Sequence, residues 1–324
     1  MGLAVLAVCA MYLTMQPVVA GLGLSPLVIG LLAGLVVGNT LRRGWVSAYD
    51  PGIIFCAKGL LRIAIVFYGF RITFQEVASV GLSAVLIAVS VVAAILSLGY
   101  LVGTRLLKLD RTTALLTAAG SAICGAAAVV AVESVVRSVP QKTTAALATV
   151  VLFGTLGMLL YPLIYNAGWL PLDEHAYGVY VGAVVHEVAQ VVVAGNAAGT
   201  AAGDTAVVVK MTRVLLLVPV LLGIVLLLRL RKGADAGEAA IPVPWFALGF
   251  LAMVGVNSAA WLPTETVQHI VLADTFILTM AMTALGLETR LEHLRGMSSA
   301  TFVLAAFLFA VLSVAGYGLV VALV

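Results

Sequence analysis

The stretch LTAAGSAICGAAAVVAV, residues 116–132, decides how the rest of the chain is read. It is apolar enough for a bilayer, yet Gly120 and Gly125 bracket Ser121 and Cys124 in a window otherwise built for helix. Glycines weaken a helix, so this spacing predicts a break in the middle of a membrane span. A discontinuous transmembrane helix offers backbone N–H groups and a positive dipole end, where an anion is held without a full-charge partner. Ser121 adds a hydroxyl donor. Cys124 is expected to face a water-filled cavity beside the break and to react faster than Cys9 or Cys56. Close packing through small residues is the competing reading of the same glycines.

The composition around that stretch leaves no surface for a soluble domain. Of 324 residues 63% are hydrophobic and 10% charged, with a mean hydropathy of +1.19. The lipid bilayer is the expected surrounding, and a nucleic-acid binder is excluded. Cys9, Cys56 and Cys124 lie in apolar stretches without CxxC spacing, so neither disulfides nor structural zinc are expected. Charge-poor runs of about 20 residues give eleven segments, at roughly 2–20, 25–41, 52–70, 80–104, 112–135, 143–165, 176–197, 206–229, 243–262, 267–288 and 297–323. The first lacks a basic start and a cleavage site, so it reads as a membrane helix rather than a signal peptide.

Basic residues orient these segments. Arg42, Arg43, Arg105, Lys108, Arg111, Arg229, Arg231, Lys232, Arg290 and Arg295 follow even-numbered segments, whereas only Arg71, Arg137 and Lys142 follow odd ones. The positive-inside rule then puts the N-terminus in the cytoplasm and the C-terminus outside. Trp45, Trp169, Trp245 and Trp261 fall at or beside segment ends, the place of an interfacial indole. Gly21 and Gly23 read as a turn between spans, since no βαβ unit follows them.

Four basic residues remain inside spans: Lys58 and Arg62 in segment three, Lys210 and Arg213 in segment eight. Each pair shares a helix face. The pairs recur at offsets near 151, VVGN ending at Asn39 is echoed by VAGN ending at Asn196, and LTAAGSAICG (116–125) by LTMAMTALGL (278–287). These echoes predict two five-segment units, about 25–165 and 176–323, with segment one as an extra helix. An odd number of crossings makes the second unit enter from the opposite face, which is the inverted repeat of secondary transporters. On this alignment Thr283 and Gly286 mark a second, weaker break in segment ten. All 324 residues then form one all-α polytopic membrane domain.

A basic side chain at the bilayer centre costs about 2.5–3.5 kcal/mol on insertion scales, so the four cations need partners. Arg62 lies deeper than Lys58. Either an anionic substrate compensates them, or Glu133, Glu187, Asp274 and Glu288 do so internally. His186-Glu187 with Gln190 lacks the second histidine of HExxH, which excludes a zincin. That pair reads instead as a site for a coupling proton or cation, or as a neutraliser of one of the four basic residues.

The segments AKGLLRIAIVFYGFRI (57–72), GSAICGAAAVVAV (120–132) and ADTFILTMAMTALGLETRL (273–291) resemble, in this order, the YeiH-like family of bacterial inner-membrane proteins, assigned by inference to sulfate export. The likeness spans nearly the whole chain. It implies an inner-membrane location and a helical plan similar to bile-acid/sodium symporters and sodium/proton antiporters, with two broken helices crossing at the centre. It also implies that Gly120, Ser121, Cys124 and Gly125 are the broken-helix motif and that Lys58 and Arg62 belong to the family's basic third segment.

These readings converge on a secondary transporter for a small inorganic or sulfonate-like anion, working by alternating access. Lys58, Arg62, Lys210, Arg213, Gly120, Ser121, Cys124, Gly125, Thr283 and Gly286 are the candidate substrate ligands, and His186 and Glu187 the candidate coupling groups, for a proton or sodium. A cation/proton antiporter, a passive anion channel and an intramembrane enzyme are the alternatives. The first needs a midplane carboxylate cluster, and the last a nucleophile and base that nothing local to Ser121 and His186 supplies. No cofactor is called for, and a homo-oligomer is compatible with this reading.

Overall fold

A computed structural model describes residues 2–16, 26–40, 50–136, 138–232, 245–288 and 298–324. Gly21, Gly23, Arg42, Arg43, Trp45, Arg137, Arg290 and Arg295 lie outside the described residues, as do the side chains of Arg229, Arg231 and Lys232. In chain order the helices are α1 (Gly2–Thr14), α2 (Pro26–Thr40), α3 (Asp50–Ile54), α4 (Leu61–Tyr68) and α5 (Phe74–Ser79). They continue with α6 (Gly81–Leu101), α7 (Arg111–Ala122), α8 (Ala126–Val136), α9 (Pro140–Asn166), α10 (Glu174–Val184), α11 (Val188–Asn196), α12 (Thr200–Leu215) and α13 (Leu217–Lys232). The last are α14 (Trp245–Ser258), α15 (Thr264–Glu288) and α16 (Ser299–Leu323).

All eleven apolar segments overlap helix, and the described residues contain no strand. Six continuous helical runs are long and apolar enough to cross a membrane: Pro51–Arg71, Gly81–Leu106, Gln141–Asn166, Thr200–Leu227, Thr264–Glu288 and Ser299–Leu323. Segments five and seven are each split into two short helices, α7 with α8 and α10 with α11. Trp169, Trp245 and Trp261 are exposed at helix ends. The chain is a membrane protein by these spans.

Contacts divide it into two compact units, one of Met1–Ser79 with Trp245–Arg295, the other of Val80–Pro244 with Gly296–Val324. This partition cuts across the 25–165 and 176–323 division read from the sequence echoes.

In the first unit α2 lies along α15, backbone against backbone. A Cβ at Gly34 would strike the Thr283 carbonyl, and one at Gly286 the Leu31 carbonyl. Here the packing reading of the glycines holds. The break expected at Thr283 and Gly286 is absent, because α15 runs unbroken from Thr264 to Glu288. Thr275, Thr279 and Thr283 each donate a hydroxyl hydrogen bond, at 2.8 Å, to the carbonyl four residues back. Small residues admit the partner helix while the hydroxyls stay satisfied within their own helix.

In the second unit α7 packs against α6, α9 and α16, and α12 packs against both α10 and α11. The polar starts of the two split segments follow from their N-caps. Asp110 accepts the Thr112 and Thr113 N–H groups at 3.1 and 3.2 Å, and Asp173 accepts the Ala176 N–H at 2.7 Å.

Candidate functional site

The two breaks differ in construction. In the first, Ile123 leaves helical geometry at φ −114°, ψ −91°, and Gly125 takes φ +72°, a left-handed conformation that glycine adopts without strain. In the second, Val185 and Glu187 are extended, and Glu187 starts α11 through a capping box with Gln190, whose side chain accepts the Glu187 N–H at 3.1 Å. What looked like a defective HExxH is therefore a helix start. An acid and a glutamine at that spacing, bounded by mid-span polar residues, was the available signal; a search aimed at glycine missed it.

Every helix end made by these breaks exposes backbone groups that must be satisfied inside the membrane. α12 supplies the donors. Lys210 Nζ donates to the Ile123 and Val185 carbonyls, both at 2.8 Å. Arg213 reaches the same two helix ends with a fork. Its Nη1 donates to Ala183 at 2.5 Å and, at 3.4 Å, to Gly182 and Val185, while its Nη2 donates to Ala122 at 2.6 Å and Ser121 at 3.2 Å. Both cations are 0% exposed. They sit on the negative dipole ends of α7 and α10, which favours them electrostatically as well. Arg213 thus holds helix C-termini, and carbonyls rather than acids compensate it.

The N-terminal ends are met by one carboxylate. Glu187 Oε1 accepts the N–H of Ala126, the first residue of α8, at 3.1 Å across 61 residues of sequence, while Glu187 also caps α11. The Gly125 N–H is taken by the Gly120 carbonyl at 3.1 Å. Ser121 contributes through its carbonyl. Cys124 is 5% exposed, buried within the break rather than facing the open cavity expected of it. His186 is buried beside Phe309, ring centroids 6.3 Å apart, and its Nδ1 has no hydrogen-bond partner. Arg213 Nε is likewise buried without one.

Of the predicted residues, Gly120, Ser121, Cys124, Gly125, His186, Glu187, Lys210 and Arg213 come together here. Lys58, Arg62, Thr283 and Gly286 belong to the other unit. There Lys58 pairs with Glu288 at 2.7 Å, its side chain 56% exposed. Arg62 is exposed and bonds to no described residue. Asp274 pairs not with any of the four intramembrane cations but with Arg71 at 3.2 Å, whose guanidinium also donates to Thr275 at 2.8 Å and lies over the Tyr68 ring. At the start of α7, Lys142 reaches Asp110 at 2.7 Å. Partial burial raises the Asp110 pKa, but hydrogen bonds from Lys142 and Thr113, with the ammonium charge, outweigh it and hold the carboxyl below its ordinary value.

Two buried cations, one carboxylate and four helix ends thus meet at the two breaks, the cations on the C-terminal ends and the carboxylate on the N-terminal ends. Residues 1–305 match the family model described as conserved hypothetical protein 698. The chain is 51% identical over 322 residues to a UPF0324 membrane protein of Bordetella pertussis, covering 98% of this chain and 92% of the relative. Identity is 53% over 294 residues to a UPF0324 membrane protein of Pseudomonas putida, covering 90% and 83%. It is 42% over 301 residues to the UPF0324 inner membrane protein YeiH of Escherichia coli K12, covering 93% and 86%. No solved structure matches the chain.

Proposed function

We propose, from the premise that the chain belongs to this conserved hypothetical protein 698 family of UPF0324 membrane proteins, that it is a secondary transporter of a small inorganic or sulfonate-like anion. The observation that carries this reading is the pair of broken helices joined by Lys210 and Arg213, with a single carboxylate, Glu187, on the opposite helix ends. Breaks in spanning helices are costly in lipid and serve where a polar solute must be met at depth. The local formal charge is positive by one, counting the two cations and the one carboxylate. That surplus favours an anion over a cation and ranks the cation/proton antiporter second. In this closed conformation the crossing is sealed, and alternating access requires it to open to each side in turn.

The names of the relatives give no substrate; the positive surplus supports a small anion, and sulfate is one candidate among the anions offered in the test. We assign the inner membrane, after the name of the Escherichia coli relative, and a cytoplasmic N-terminus, after the basic loops. The test is transport by the purified chain in proteoliposomes offered labelled sulfate, sulfite, thiosulfate or taurine. A carrier exchanges internal unlabelled for external labelled anion and is stimulated from the trans side. Flux that neither saturates nor shows this stimulation identifies a channel, and uptake of sodium with no anion flux identifies the antiporter. For orientation, a cysteine at Asp173 is expected to escape an impermeant thiol reagent in intact cells.

A further inference from the structure

We infer that Glu187 is a tethered competitor of the transported anion, and that its carboxyl group must take up a proton before the anion can occupy the same helix ends, which makes transport a proton–anion symport. This rests on the anion-carrier reading and adds the coupling ion.

The geometry separates two roles that the sequence merges. Lys210 and Arg213 make seven hydrogen bonds to carbonyls, at the C-terminal ends of the helices that lead into each break. The anion-binding ends are the N-termini of α8 and α11, of 11 and 9 residues, and a carboxylate already sits on them. A Cβ at Gly125 would press on Glu187 Cγ, so the missing side chain there lets the carboxylate reach the α8 end. Two further buried groups of the same pair of breaks stand without a hydrogen-bond partner. Arg213 Nε always carries a proton, yet it is buried with no acceptor, and His186 Nδ1, one residue from Glu187, is buried with no partner. An oxyanion has oxygens to spare for an N–H donor; the single carboxylate oxygens are engaged elsewhere.

The charged and titratable groups that face Glu187 are Lys210 from α12 and Cys124 from the α7–α8 break, with Arg213 on the same two breaks and His186 the preceding residue of the chain. α9 brings Gly154 against Gln190, and α16 brings Phe309 against His186, both uncharged. Two anions cannot share such a site in their ionised forms without strong mutual repulsion. Glu187 is the group that can give way, because the anion of a strong acid stays ionised where a carboxylate protonates. One proton enters with the anion from one side, resides on a Glu187 carboxyl oxygen while the anion is bound, and leaves with it on the other; protons balance over the cycle, and a monovalent anion moves without net charge whereas a divalent one carries one net negative charge across.

Glu187→Gln keeps the side chain's size and an acceptor for the Ala126 N–H, and removes both charge and titration. In proteoliposomes with the membrane potential clamped at zero, a one-unit inward acid gradient should let the wild type accumulate labelled sulfate, or whichever of sulfite, thiosulfate and taurine it exchanges, about tenfold at one proton per anion. E187Q should accumulate none, and any counterflow it retains should no longer vary with pH. Tenfold accumulation by E187Q would overturn the role of Glu187 and leave the carrier standing. Absence of counterflow for all four anions in the wild type would overturn both. A mutation-free measurement covers the case in which E187Q does not fold. Calorimetric titration of the wild type in buffers of different ionisation enthalpy should show about one proton taken up per anion bound, and uptake of none would overturn the proposal.

Discussion

Two basic pairs with nearly the same spacing end in opposite surroundings. Lys58 and Arg62 stand on the outside of their helical run, the lysine against Glu288 and the arginine bonded to no described residue. Lys210 and Arg213 are sealed in the middle of the other unit and bonded to seven carbonyl contacts. An intramembrane cation therefore signals an unmet electrostatic need somewhere, but its spacing does not say whether the need is an acid, a ligand or a helix end. Carbonyls at a helix C-terminus are anonymous in sequence, since every residue has one.

Removing Arg213 should expose that difference most. Arg213→Met leaves buried carbonyls at two helix ends without donors, and the loss of a buried charged partner costs about 3–5 kcal/mol. Thermal unfolding in detergent should show it as a large drop in midpoint, and Arg213→Lys should recover only part, because the three N–H donors of one ammonium cannot replace the contacts that two guanidinium nitrogens make with five carbonyls. A midpoint unchanged by Arg213→Met would mean that the crossing does not depend on this side chain. Lys210→Met should be next, costing about 1–3 kcal/mol for two abandoned carbonyls. Its measurement is the same, with Lys210→Arg as the control for charge without fit.

The outer pair should respond weakly. Lys58→Gln should cost about 0–1 kcal/mol, in keeping with a half-exposed ion pair. If chemical unfolding finds it as damaging as Lys210→Met, the two pairs are equivalent after all and the contrast drawn above collapses. Anion exchange gives the second readout, and Arg213→Gln should reduce it far more than Lys58→Gln or Arg62→Gln.

The smallest effect belongs to the Asp110–Lys142 pair at the start of α7. Its folded-state pKa lies below the ordinary value, so the ionised form is the one the fold favours. The contribution is present above the unfolded carboxylate pKa and is lost as pH falls through the lower folded one. Asp110→Asn, which retains a capping oxygen, should remove less than about 1 kcal/mol near neutral pH and flatten stability across the acid limb below pH ~4. An unchanged acid limb would show that the pair is neutral in energy, as many exposed pairs are.

Apolar length made the helical segments legible, and the glycines of 120–125 made one break legible, because both are properties of composition and local propensity. The second break was not. Val185, His186 and Glu187 contain no glycine or proline, and the chain leaves the helix there through extended backbone that any residue adopts, stabilised by Gln190 and by a helix that comes later in sequence. Conversely, Thr283 and Gly286 carried a glycine and an echo of the first break, and α15 runs straight through them. There the glycine admits a neighbour's backbone, a fact about α2 that no local window contains. Arg213 reads in sequence as a cation needing compensation, but its partners lie up to 92 residues away and are backbone atoms, which leave no trace in side-chain identity.

The crossing also constrains how the protein can be made. Both breaks are translated before α12, so until Lys210 and Arg213 emerge and their helix enters the bilayer, the ends of α7 and α10 have no cation to bond them. A nascent chain stalled ahead of Thr200 would hold several orphaned carbonyls in or near lipid, a state each group of which costs kilocalories. The two split segments should therefore commit late, resting at the translocon or a chaperone until α12 arrives, and premature termination in this stretch should yield a chain marked for proteolysis rather than a smaller stable fragment.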